Sequence, residues 1–170
     1  SARAHAYIHL AEFQTNRGRL RDALNSYAQA LTLSRQAIDD VGQTISLNNQ
    51  GFLYEELHQL GAARDAYAAA TAVSADSRES LDPVGQATLL QNMGRVALAL
   101  QDGKGAQHAF TRAEQLLSRA LRQHQQTHNQ RGEIAALQSL SNLQSDAGRL
   151  SKAVELAMQA VDVAERIGDR

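Results

Sequence analysis

Four segments of this 170-residue chain, Tyr7 to Leu33, Leu47 to Val73, Leu90 to Leu116 and Leu137 to Val163, align with one another without a gap. Their starts lie 40, 43 and 47 residues apart. A small residue stands four places into each, at Ala11, Gly51, Gly94 and Ser141. Alanine follows twelve places later, at Ala23, Ala63, Ala106 and Ala153, and again seven beyond that, at Ala30, Ala70, Ala113 and Ala160. With 30 alanines in 170 residues, eight at fixed offsets arise by chance on the order of once in a million trials. A period of this length makes the folding unit a supersecondary element that cannot bury its apolar face alone and must stack on its neighbours.

Seven residues make about two helical turns, so each alanine pair lies on one stripe of one helix, where lack of bulk lets a second helix approach closely. The small residue twelve places earlier falls on the preceding helix. Between the two helices a turn is expected, marked by Gly18 with Asn16, by Gly61, by Asp102 with Gly103, and by Gly148 with Asp146. Tyr27, Tyr67 and Phe110 stand four residues after the first alanine and are expected to wedge between units. The fourth unit has Ala157 there, so its packing must differ. Seven aromatic residues and a single proline agree with helices packed at close range. The predicted fold class is all-α, a right-handed α-α superhelix of four antiparallel helix pairs, with repeats at about 4–41, 42–84, 85–131 and 132–170 in one array.

The formal net charge of −1 removes any general attraction to nucleic acid or to an anionic membrane, so neither is expected as a partner. The chain has no cysteine, which excludes disulfides, thiolate metal sites and cysteine nucleophiles. Its sequence holds no apolar run of the roughly eighteen residues that a membrane span needs, and no leader peptide; the expected location is the cytoplasm. Because the chain begins with Ser1 rather than Met and closes on Ile-Gly-Asp-Arg, resembling a linker before a further repeat, it reads as a segment of a longer protein. The excess of Arg over Lys, fifteen to two, reads as coding bias of a GC-rich genome.

The order of large apolar residue, small residue, aromatic, turn, Ala, aromatic, Ala resembles the tetratricopeptide repeat (TPR) over about four-fifths of the chain. Its closest passage is Leu-Asn-Asn-Gln-Gly-Phe-Leu-Tyr, from Leu47 to Tyr54. The repeats here exceed the family's usual 34 residues, and a glycine opens each internal one, at Gly42, Gly85 and Gly132. Such lengthened repeats resemble those of kinesin light chains and of bacterial regulators. The resemblance implies a non-enzymatic scaffold that holds a protein or peptide segment on the concave face lined by the first helix of each pair. Carried over unit by unit, that stripe holds Ile8, Glu12 and Thr15, then Asn48, Asn49, Phe52, Glu55 and Glu56. It continues through Gln91, Asn92 and Arg95 and ends with Gln138, Ser139, Asn142 and Ser145. Amides dominate it, and an amide both donates and accepts, so a ladder of Asn and Gln satisfies a peptide main chain without reading much of its sequence. Asn49, Asn92 and Asn142 are expected to face one groove. A clamp for C-terminal carboxylates needs several basic residues there; Arg95 is the one this stripe supplies.

No constellation for chemistry accompanies the repeats, and no cofactor is expected. His5 with His9, and His124 with His128, are four apart, a spacing that brings two imidazoles to one helical face, but neither pair has a third ligand nearby. His58 and His108 read as structural helix residues. Gly103-Lys104-Gly105 lacks the strand-loop-helix context of a phosphate loop. Besides peptide binding, self-assembly and small-molecule sensing stay open, with a metal-dependent enzyme last. The final helix, near Ser151 to Ile167, carries two apolar stripes: Ala153, Leu156, Ala160 and Val163 for its partner helix, and Val154, Ala157, Met158, Val161 and Ala164 beside them. The second is expected to meet either a further repeat or another copy, forming a two-fold dimer through Val154, Met158 and Val161.

Overall fold

A computed structural model describes residues 2–76 and 82–168. The last two residues of the closing Ile-Gly-Asp-Arg lie outside the described residues. Every regular element among those described is an α-helix: α1 (Ala2–Asn16), α2 (Leu20–Gln36), α3 (Asp40–Glu56), α4 (Leu60–Asp76), α5 (Pro83–Ala99), α6 (Gly103–Gln126), α7 (Gln130–Asp146) and α8 (Leu150–Gly168). The helices fall into two compact units, α1 to α4 and α5 to α8. In the first, α1 packs on α2, α2 on α3 and α3 on α4; in the second, α6 packs on α7 and α7 on α8, while Ala87 and Leu90 of α5 share a core with Ala106, Phe110 and Ala113 of α6.

The contact within each pair follows from the small residues. Ala63 and Ala106 are completely or almost completely buried, and so are Ala23, Ala30, Ala70 and Ala113. Tyr67 lies directly on Gly51, so a Cβ added there would come within 2.6 Å of its ring. Phe110 stands in the same relation to Gly94. These rings therefore cover the small residue of their own pair, a contact additional to the expected wedge between repeats. Tyr27 does both, sharing a core with Ala11 of its own pair and with Leu53 of α3, and so does Phe110, which shares one with Leu90 of its own pair and with Leu140 and Leu143 of α7. In the fourth pair the ring and the glycine are both replaced. Ser141 donates its hydroxyl to the backbone oxygen of Ala153 at 2.7 Å, and Ala157 fills less of the space above it.

Six turns share one backbone device. The second residue after the helix has positive φ: Gly18 (72°), Ile38 (54°), His58 (56°), Gln101 (62°), His128 (52°) and Gly148 (74°). The next amide bonds back across the turn to a carbonyl five residues earlier, as from Arg19 to Gln14 (2.9 Å), Gln59 to Tyr54 (2.8 Å) and Arg149 to Gln144 (2.8 Å). Two of the expected turn glycines are thus corrected: Gly61 and Gly103 lie inside the first turn of α4 and α6, and His58 and Gln101 take the left-handed position instead. A non-glycine residue there costs about 1–2 kcal/mol, which the closing hydrogen bonds offset. His58 accordingly stands in a turn and not on a helix.

The opening glycines have a separate cause. Asp39, Asp82, Asp102 and Asn129 each accept a hydrogen bond from a backbone N–H three residues on, at Gly42 (2.8 Å), Gly85 (2.6 Å), Gly105 (2.9 Å) and Gly132 (3.0 Å). At Gly42 a Cβ would come within 2.5 Å of the Ser34 hydroxyl on α2, so glycine lets the cap and the preceding helix end approach together. The Gly42 amide holds the Asp39 carboxyl below its ordinary value.

Replacing Gly94 by Ala, or Ala106 by Leu, should overpack the α5–α6 contact and lower stability by roughly 1–3 kcal/mol. A denaturant or thermal melt checks this; unchanged stability in both variants would contradict the pairing. The same change at exposed Gly61, where a Cβ meets nothing within 4 Å, should be neutral or mildly stabilising.

Candidate binding face on the first helices of the repeats

In the first unit α1 and α3 lie side by side, and between them rises the hydroxyl of Tyr27. The Asn49 amide donates to that oxygen at 2.9 Å, and the Asn48 amide donates to the Asn49 carbonyl at 3.2 Å. Thr15 and Glu12 of α1 flank the same hydroxyl. On the other side of α3 the Tyr67 hydroxyl donates to Glu55 at 2.5 Å. Two ring hydroxyls from second helices thus fix side chains of the first-helix stripe. Phe52 and Glu56 project to solvent beside them. Ile8, expected on this stripe, is instead 4% exposed and packs with Ala11, Tyr27 and Leu53: at its helical phase the core, not the groove, is the nearest surface.

Burial pushes the Tyr27 phenol above its ordinary value, and neighbouring Glu12 acts in the same direction, while the Asn49 bond opposes both. A buried phenol without that amide would lose its principal donor.

In the second unit Gln91 of α5 donates to Asp146 of α7 at 2.7 Å. Arg95 donates to the Asn92 carbonyl at 3.1 Å and lies 4.0 Å from the Asp146 carboxylate. The structure therefore brings Gln91, Asn92 and Arg95 together around Asp146, an acid expected to mark a turn. Its signal was available: Asp146 occupies the same place in its repeat as Glu56 does, nine residues after Leu137 and Leu47 respectively. An incoming carboxylate would compete with Asp146 for Arg95.

Gln138 and Asn142 do not join that cluster. Both are exposed and line a depression of about 300 Å³ with Ile134, Ser141, Ala157 and Val161 on the outer face of α7 and α8. Asn142 is the repeat equivalent of Arg95 and Phe52, five residues after the leading leucine, not of Asn49 and Asn92. Val154, Met158 and Val161 are all exposed along α8, while Ala153, Ala160 and Val163 are buried toward α7.

The histidines are not grouped with further ligands among the described residues. His5 and His9 are exposed on α1, and His9 lies 3.1 Å from Glu12. His124 lies on α6 against Asn129, whereas His128 is in the left-handed turn, so that pair does not share a helical face. Exposed His108 is not a core residue. Among the described residues no three His, Asp or Glu side chains are grouped to hold a metal ion, and no helix is long and apolar enough to cross a membrane.

Helix pairs stacked on a small-residue contact, with polar stripes on the first helices, define a TPR-like helical repeat protein. Solved structures agree. BtubC from P. vanneervenii matches 98% of this chain with a TM-score of 0.68 at 18% identity. A Podosopora anserina protein of nearly identical TPR-like repeats, named as a kinesin light chain, matches all of it at 0.65 and 16%. MamA matches 98% at 0.53 and 17%. The chain spans 65% of the BtubC chain, 78% of the Podosopora anserina chain and 81% of the MamA chain. No protein-family sequence profile and no characterised protein matches it by sequence.

Burial of the Tyr27 phenol, reinforced by Glu12 and only partly offset by the Asn49 bond, makes a pH prediction. A folded-state value raised above the ordinary 10 means that the contribution is fully present below pH 10 and is lost as pH rises through the folded value. Alkaline melts of the wild type should fall in this range, and those of Tyr27→Phe should fall less. Asn49→Ala should cost about 1–3 kcal/mol at neutral pH by removing the principal donor to the hydroxyl.

Proposed function

We propose that this chain is a scaffold that holds a peptide or protein segment on the first-helix stripes, as a regulatory or sensory segment of a multidomain bacterial protein acting in the cytoplasm. The supporting observation is the α3 surface, where Asn48 and Asn49 are oriented by the Tyr27 hydroxyl and exposed Phe52 stands beside them. A preorganised amide next to an exposed ring can meet a main chain with one and an apolar side chain with the other. Glu12, Glu55 and Glu56 border the same stripe, so the segment it suits is neutral or basic. The fold's scaffold character and the absence of a catalytic constellation in the sequence support a non-enzymatic role.

Peptides selected from a random display library against the 170-residue chain should test this. Joint replacement of Asn48 and Phe52 by Ala should weaken the selected peptides by about 1–3 kcal/mol with the fold intact. The affinity of peptides carrying Lys or Arg should also fall with added salt. Undiminished binding in the double variant would place the site elsewhere.

A second reading is self-association through the outer face of α8. It is favoured by the exposure of Val154, Met158 and Val161 along one helix, a contiguous apolar surface of the kind that marks an interaction site.

A further inference from the structure

The outer surface of α1 carries Ala6, Leu10 and Phe13 at helical spacing, and all three are exposed, Phe13 by 55%. Their repeat equivalents are not. In α7 those places hold Ala136, Leu140 and Leu143, and in α3 two of them hold Ser46 and Leu53; all five are buried, and α7 and α3 pack on the preceding helices α6 and α2. The complementary situation holds on α8. Exposed Ala157, Val161 and Ala164 correspond to Tyr27, Leu31 and Ser34 of α2, all buried beside α3. Each of these two surfaces is thus one half of a helix contact that the chain already makes internally at α2–α3 and α6–α7.

The side chains also fit by size. Within the chain a ring on the second helix meets a leucine on the next first helix: Tyr27 with Leu53, and Phe110 with Leu143. On α8 the ring is replaced by Ala157, which leaves the depression of about 300 Å³; on α1 the leucine is replaced by Phe13. Small meets large in reverse order. A second exchange has the same sense. Gly42 is needed opposite Ser34 because a Cβ would come within 2.5 Å of the serine oxygen; the corresponding residues are Ala2 and Ala164, and Ala164 has no such oxygen. A two-fold contact between two α8 helices offers no comparable fit, since α8 contains no aromatic residue to occupy the depression.

We infer that the outer face of α7 and α8 receives α1 of a second copy of this chain, head to tail, with Phe13 seated over Ala157. This rests on the reading that the α8 face meets another copy, and it replaces two-fold closure with a contact between two different surfaces, which can propagate beyond a dimer.

Sedimentation velocity on the intact 170-residue chain tests it with three exposed substitutions, circular dichroism confirming that each variant is folded. The wild type should show concentration-dependent species larger than a dimer. Phe13→Asp and Val161→Asp should each be monomeric, while an equimolar mixture of the two should form a 1:1 dimer and stop, because one intact face of each kind remains. Met158→Asp should assemble like the wild type, since the equivalent Ala28 and Thr111 are exposed beside the internal contacts. Self-association of Phe13→Asp alone, or its loss in Met158→Asp, overturns the head-to-tail contact while leaving α8 self-association standing. A wild type that is monomeric at high concentration overturns both.

Discussion

Everything in this fold depends on a first helix giving up side-chain volume so that a second can lie against it. Gly51 beneath Tyr67 and Gly94 beneath Phe110 are the sharpest cases, because the ring occupies the space in which a Cβ would stand. The buried alanines at the two fixed offsets extend that approach over two helical turns. Dispersion and apolar burial increase as the helices close, and neither is available at the longer separation that larger side chains would impose. The consequence reaches the surface. A ring held so near its partner helix places the tyrosine hydroxyl among the polar residues of the first-helix stripe.

That placement gives the stripe its order. Tyr27 and Tyr67 are core residues by their rings and surface residues by their hydroxyls, so one side chain sets both the packing and the orientation of Asn49 or Glu55. Phe110 has no hydroxyl, and the corresponding part of the second unit relies on a different device, the Asp146 carboxylate between Gln91 and Arg95. The two units thus present chemically different stripes, one with several carboxylates and fixed amides, the other with a cation already engaged by an acid.

The fourth pair departs from the rule, and the departure explains its outer surface. With Ser141 and Ala157 in place of glycine and ring, the pair closes through a hydroxyl-to-carbonyl bond and leaves room above Ala157. Gln138, Asn142 and Val161 border that room, so residues expected to serve a peptide groove and residues expected to serve an oligomer contact share one site.

The sequence by itself determined the repeat, the pairing of helices and the identity of the buried alanines, because close helix contact admits few residue types and the offsets repeat them four times. It also showed the second apolar stripe on α8, since amphipathic spacing is local. Tertiary structure alone decided which polar groups are engaged. Asn49 meets a hydroxyl 22 residues away and Gln91 a carboxylate 55 residues away, and no local pattern encodes which of several amides in a stripe will face them. It decided the turns as well: His58 and Gln101 adopt the left-handed conformation while Gly61 and Gly103 lie within helices, because the hydrogen bonds closing each turn outweigh the modest cost of a side chain there.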